Sequence, residues 1–119
     1  LHTAHTPATW MYLFDYESPA LEGRLGSCHS IDIPFIWGTT QVENMRSFCG
    51  SGAAVDALSG RMMETWLAFA RTGDPNSAAL PDWPAYDASR RATMRLGEKC
   101  RVEDAPFDDE RALWADGRA

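Results

Sequence analysis

Lysine is almost missing from this chain of 119 residues: Lys99 stands alone among eleven basic residues, against seventeen acidic ones, and the formal net charge is −6. An acidic chain without a basic stripe argues against nucleic acid or an anionic membrane surface as a partner. No apolar run approaches the roughly 18 residues that cross a bilayer, so no membrane span is expected. The opening Leu1-His2-Thr3-Ala4-His5 has neither the basic nor the apolar region of a signal peptide, which favours a soluble, cytoplasmic protein over a secreted one. It also lacks an initiating Met, which points to a piece of something longer. Cys28, Cys49 and Cys100 form no CxxC pair, and an odd number leaves at least one thiol free. His2 and His5 are three residues apart but have no third ligand nearby, so no metal site is expected, and no cofactor.

What remains is the make-up of an ordinary globular domain, 45% hydrophobic, with five Trp, five Phe and five Met to fill a core. At this length a single domain spanning 1–119, or a fragment of one, is the default, burying on the order of 65% of its unfolded surface. Trp10-Met11-Tyr12-Leu13-Phe14-Asp15-Tyr16 is nearly continuous in apolar character and is closed by Glu17-Ser18-Pro19. That pattern suits a strand buried on both faces of a parallel sheet. Residues 20–30 read as a loop. Pro34 rules out an interior strand over 31–37 and leaves a loop or one helical turn. Over 54–72, Val55, Leu58, Met62, Trp66 and Phe69 form one stripe at helical spacing. Gly73 and Pro75 supply its stop. Gly60 inside that helix costs about 1 kcal/mol against Ala, which suggests a close helix contact. Residues 74–92 form an irregular segment pinned by Trp83 and Tyr86. Residues 92–96 make a short edge strand, and 108–114 a terminal helix capped by Asp108.

His29, in Gly26-Ser27-Cys28-His29-Ser30, is the candidate for chemistry. It lies in a loop shortly after the apolar strand, and ligands of open α/β sheets gather beyond the carboxyl ends of strands. A histidine there can take and return a proton near neutrality. A loop histidine that merely bonds backbone is the simpler alternative. No Gly-x-Ser-x-Gly elbow is present to supply a serine. Cys49 would serve as a thiol nucleophile only if the fold brought it to His29. Asp32 either orients the imidazole or makes an ordinary loop contact.

The segment His29-Ser30-Ile31-Asp32-Ile33-Pro34-Phe35-Ile36-Trp37-Gly38 resembles the catalytic-histidine segment of type-B carboxylesterases, the family of bacterial para-nitrobenzyl esterases and cholinesterases. The likeness continues in Trp66-Leu67-Ala68-Phe69-Ala70-Arg71-Thr72-Gly73-Asp74-Pro75-Asn76, in Leu80-Pro81-Asp82-Trp83-Pro84-Ala85-Tyr86-Asp87 and in Arg91-Ala92-Thr93-Met94. It covers nearly the whole chain in family order. The resemblance implies an α/β class and the C-terminal part of an α/β-hydrolase fold, incomplete on its own: last sheet strand, histidine loop and two helices. It implies that His29 is the triad histidine and that the serine elbow, oxyanion hole and triad acid lie upstream. Asp32 then has a structural role, and Phe35 and Trp37 form an aromatic wall behind the loop. Cys28 falls at a variable position, and no role attaches to Cys100.

Two readings follow. In one, the chain is the C-terminal piece of a serine esterase, inactive alone and meeting an ester substrate only when completed. In the other, it is a carboxylesterase-derived binding or assembly module, a homodimer joined through the exposed edge of its strand. A thiol hydrolase using Cys49 and His29 is a weaker third.

Overall fold

The computed structural model describes residues 8–116. The aromatic run forms strand β1 (Met11–Phe14). Short helices α1 (Asp32–Ile36) and α2 (Glu43–Cys49) follow, then the long helix α3 (Ala53–Thr72). The chain returns as β2 (Ala92–Leu96) and β3 (Arg101–Asp104) and closes in α4 (Asp108–Asp116). The three strands make one sheet in the order β1-β2-β3. β1 runs parallel to β2, with Met11 opposite Thr93 and Phe14 opposite Leu96, and β3 folds back antiparallel to β2. Parallel neighbours need a crossover connection, and here it contains α1, α2 and α3.

The alternation of β2 sorts the sheet's two faces. Met94 and Leu96 are fully buried in one core with Ile31, Phe35, Val55, Leu58 and Met62 from the crossover. Tyr12 and Phe14 of β1 pack against the same core. On the opposite face the Arg95 guanidinium lies 5.5 Å from the centre of the Phe107 ring, just before α4. Arg95 also holds Asp15 at 2.8 Å and Glu103 at 3.4 Å, tying the end of β1 to β3 across β2. Gly97 leaves room for the Asp15–Arg95 pair, because a Cβ at that position would force the Asp15 carboxylate to shift.

Helix α3 ends as the sequence predicts. Gly73 takes a φ of 78°, a left-handed conformation that costs glycine little, and its N–H donates to the Phe69 carbonyl at 2.8 Å. Val55, Leu58 and Met62 are buried; Trp66 is partly covered, and Phe69 stays 49% exposed, meeting Trp10 edge-on. The irregular segment is pinned at Trp83 as expected. Asn76 accepts from the Trp83 N–H at 2.7 Å and donates to its carbonyl at 2.9 Å. The Tyr86 N–H reaches the Thr9 carbonyl at 2.7 Å.

Several expectations need correction. Residues 92–96 form the central strand, because the polar Arg101–Asp104 segment supplies a further edge. β1 is half-buried, not buried on both faces, since among the described residues it pairs on one side only. Among the described residues it is also not the last strand, and four α-helices, not two, accompany it. Gly60 faces open space, so it serves no close helix contact among the described residues. Asp108 is the first residue of α4 rather than its cap: its carboxylate accepts from Arg91 at 2.6 Å and Arg111 at 2.8 Å. No helix among the described residues is long and apolar enough to cross a membrane.

Candidate active site

His29 sits in the loop between the carboxyl end of β1 and the start of α1, the end of a parallel strand at which α/β proteins place their chemistry. Its imidazole is exposed, and no described residue hydrogen-bonds to it. The backbone around it is constrained. Ser30, the next residue, has a φ of 66°, in the left-handed region that non-glycine residues seldom enter. Holding a residue there costs of order 1 kcal/mol and persists only where surrounding contacts dictate it.

Those contacts come from three directions. Before the histidine, the Ser27 hydroxyl donates to the Phe14 carbonyl at 2.8 Å, and the Ser18 N–H donates to the Gly26 carbonyl at 3.0 Å. Ser18 is itself fully buried, and its hydroxyl donates to the Phe48 carbonyl at 2.6 Å, fastening the loop to α2. After the histidine, Ile31 is buried in the core and the Asp32 carboxylate accepts from the Tyr12 hydroxyl at 2.9 Å. Helix α1 is in turn held to α3 where the Ser59 hydroxyl donates to the Phe35 carbonyl at 2.9 Å.

Asp32 therefore serves Tyr12, not the imidazole, in agreement with a structural role. Burial raises the Tyr12 pKa, and the hydrogen bond to Asp32 and its negative charge add to this, to about 12. Phe35 is fully buried against the rings of Phe14 and Tyr16, at 5.3 and 4.9 Å between centres, and so forms the floor beneath the histidine loop. Trp37 does not share that role. It is 72% exposed and lines an open apolar groove of about 290 Å³ with Ile36, Met63, Trp66, Leu67 and Ala70.

Cys49 is fully buried, and burial pushes its thiol above the ordinary value, both unfavourable to a thiolate nucleophile. Cys49 is thus poorly suited to act as the nucleophile of a thiol hydrolase. Cys28 and Cys100 are partly exposed free thiols. Among the described residues no group of three or more His, Cys, Asp or Glu is arranged to hold a metal ion. His2 and His5 lie outside the described residues.

The sequence singled out His29 and Asp32 as candidates, but not the residues that hold the loop between them. Tyr12 is 20 residues from Asp32, and Phe14 is 13 from Ser27. No local pattern joins such pairs.

Comparison with known proteins places this arrangement. The profile of the carboxylesterase family matches residues 1–114. The chain is 29% identical over 108 residues to the para-nitrobenzyl esterase of Bacillus subtilis (strain 168), covering 91% of this chain and 22% of that protein. The crystal structure of carboxylesterase EST55 from Geobacillus stearothermophilus superposes with a TM-score of 0.74 at 40% identity, over 88% of this chain and 21% of that one. An esterase of Clostridium hathewayi that can hydrolyse aliphatic aromatic polyesters gives a TM-score of 0.77 at 30% identity, over 92% and 21%. The chain thus spans about a fifth of the length of these relatives, and its fold is part of their α/β-hydrolase fold. It belongs to the carboxylesterase family.

Proposed function

We propose that this chain supplies the triad histidine of a serine-type carboxylic ester hydrolase, and that His29 is that histidine. The observation that carries the reading is its position: a constrained loop at the carboxyl end of a parallel strand, in a segment matched to the carboxylesterase family. In the assembled enzyme, one ring nitrogen takes the proton of an attacking serine and returns it to the leaving alcohol, while the other donates to a carboxylate. The serine, that carboxylate and the oxyanion-hole donors belong to the upstream part of the enzyme. Each oxyanion donor supplies roughly 3 kcal/mol of transition-state stabilisation.

The apolar surface of the chain supports this reading. Trp37, Leu67 and Phe69 are 72, 49 and 49% exposed. The outer edge of β1 has no partner strand among the described residues. Both features fit a surface that the rest of an esterase covers. They also favour the second reading, in which a second copy of this chain pairs along β1 as a homodimer.

The deciding experiment is p-nitrophenyl acetate hydrolysis by the purified chain and by His29→Ala. The expected result is no difference between them, at a rate no greater than that of free imidazole. Turnover well above imidazole that disappears in the variant would show a nucleophile within these residues and end the fragment reading. Sedimentation of the same sample separates the two forms: a concentration-dependent dimer supports the assembly module, and a monomer opposes it.

A further inference from the structure

The apolar pocket walled by Trp10, Trp66, Phe69 and Trp83 contains no ionisable group, and it lies at the amino end of β1, away from His29. Nothing in the structure selects an occupant for it. The arginine network around Arg95 is fully accounted for by its carboxylate partners. The clamps on the histidine loop carry more.

Both clamps reach the histidine loop from the same strand. Tyr12 and Phe14 are two residues apart on β1, so their side chains share a face, and both pack on the core beneath the loop. Phe14 takes the Ser27 hydroxyl through its carbonyl, two residues before His29. Tyr12 gives its hydroxyl to Asp32, three residues after it. Between these two fixed points lies Ser30 with its left-handed backbone. A short loop fixed at both ends and bent through an unfavourable conformation has few directions in which to present the side chain between them. Tyr12 is held in turn, its ring meeting Trp66 of α3 edge-on at 5.1 Å between centres.

We infer that Tyr12 is a positioning residue for the triad histidine, acting through Asp32 and in concert with Ser27. The inference rests on the reading of His29 given above. Tyr12 touches no reacting atom. It fixes the first residue of α1, and thereby the exit of the loop, so that the imidazole enters the reaction already directed towards the serine. Such pre-orientation acts on the chemical step rather than on substrate binding.

The test has two arms. The first uses the 119-residue chain and follows amide hydrogen exchange. The N–H groups of Ile31 and Ile33, which donate to Cys28 and Ser30 at 3.3 Å, report the state of the loop. In Tyr12→Phe these two amides should exchange about tenfold faster, as expected for loss of one partly buried hydrogen bond to a charged group, while amides in the middle of α3 keep their rate. Unchanged loop exchange, or an equal rise everywhere, would overturn the inference. The second arm joins residues 8–116 behind the upstream part of the Geobacillus carboxylesterase and measures ester hydrolysis. Tyr12→Phe and Ser27→Ala should each lower kcat by about ten- to a hundredfold with KM within twofold. His29→Ala separates the two levels of the argument. If it leaves activity intact, the reading of His29 fails. If it abolishes activity while Tyr12→Phe changes nothing, only the positioning role fails. Should the chimera be silent with His29 intact, the exchange arm decides.

Discussion

Strands β1 and β2 lie side by side in register, yet their burial runs opposite to their composition. β1, Met11-Tyr12-Leu13-Phe14, is apolar apart from the Tyr12 hydroxyl and is half-buried, with Met11 45% exposed. β2 carries Thr93 and Arg95 among its five residues, and Ala92, Met94 and Leu96 are fully buried. The difference lies in their neighbours. β2 has a strand on each side, whereas β1 has one among the described residues. A strand's own apolar content states how much cover it requires. The cover it has within a given chain depends on which other elements that chain includes. Since the relatives are about five times longer, the mismatch at β1 is what a sheet divided between its strands should show.

The contrast can be sharpened by substitution, beginning with the buried strand. Met94→Ala removes a fully buried side chain from the centre of the core and should cost about 2–5 kcal/mol in urea unfolding. A loss below 1 kcal/mol would mean that the core around β2 is not packed as described. An intermediate effect belongs to Tyr12, the polar group by which β1 grips the histidine loop. Replacing it with Phe should cost about 1.5 kcal/mol at neutral pH. Its ordinary pKa of 10.0 rises to about 12 in the folded chain. The native state therefore keeps a proton that the unfolded chain releases, so the stabilisation is complete below pH 10 and is lost as pH rises towards 12. The stability gap between the native chain and Tyr12→Phe should narrow across that interval; a constant gap would separate Tyr12 from the effect. Met11→Ala, on the open strand, should change stability by no more than about 0.5–1 kcal/mol. A cost matching that of Met94→Ala would show that β1 is covered in solution, by a second copy or otherwise.

How much of this was legible in advance follows the range of the forces involved. Helix α3, its glycine stop and the Pro-rich segment after it are specified by residues within a few positions of each other, and they appear where the sequence places them. The helical turn after His29 was within reach for the same reason, as Pro34 forbids the alternative. Helix α2 carries no clear apolar period, and the polar Arg101–Asp104 strand exists because β2 offers it an edge. Phe69 satisfies the helical period and meets Trp10 edge-on, yet near the end of the helix it stays 49% exposed, so its place in the stripe did not secure burial. At the site, the candidate base was recognisable from its local segment. The hydroxyl groups that hold its loop were not, because they are contributed by residues brought close only by the sheet.

The parallel pairing of β1 with β2 also imposes an order in time. Asp15 and Arg95, which join the ends of these strands, are 80 residues apart. At a synthesis rate of about 5–20 residues per second, on the order of ten seconds pass between the emergence of one strand and that of its partner. During that interval the aromatic residues of β1 have no sheet to enter on their carboxyl-terminal side. The strand on which the histidine loop depends is thus also a segment open to early capture by chaperones, or to misassociation with another copy of itself.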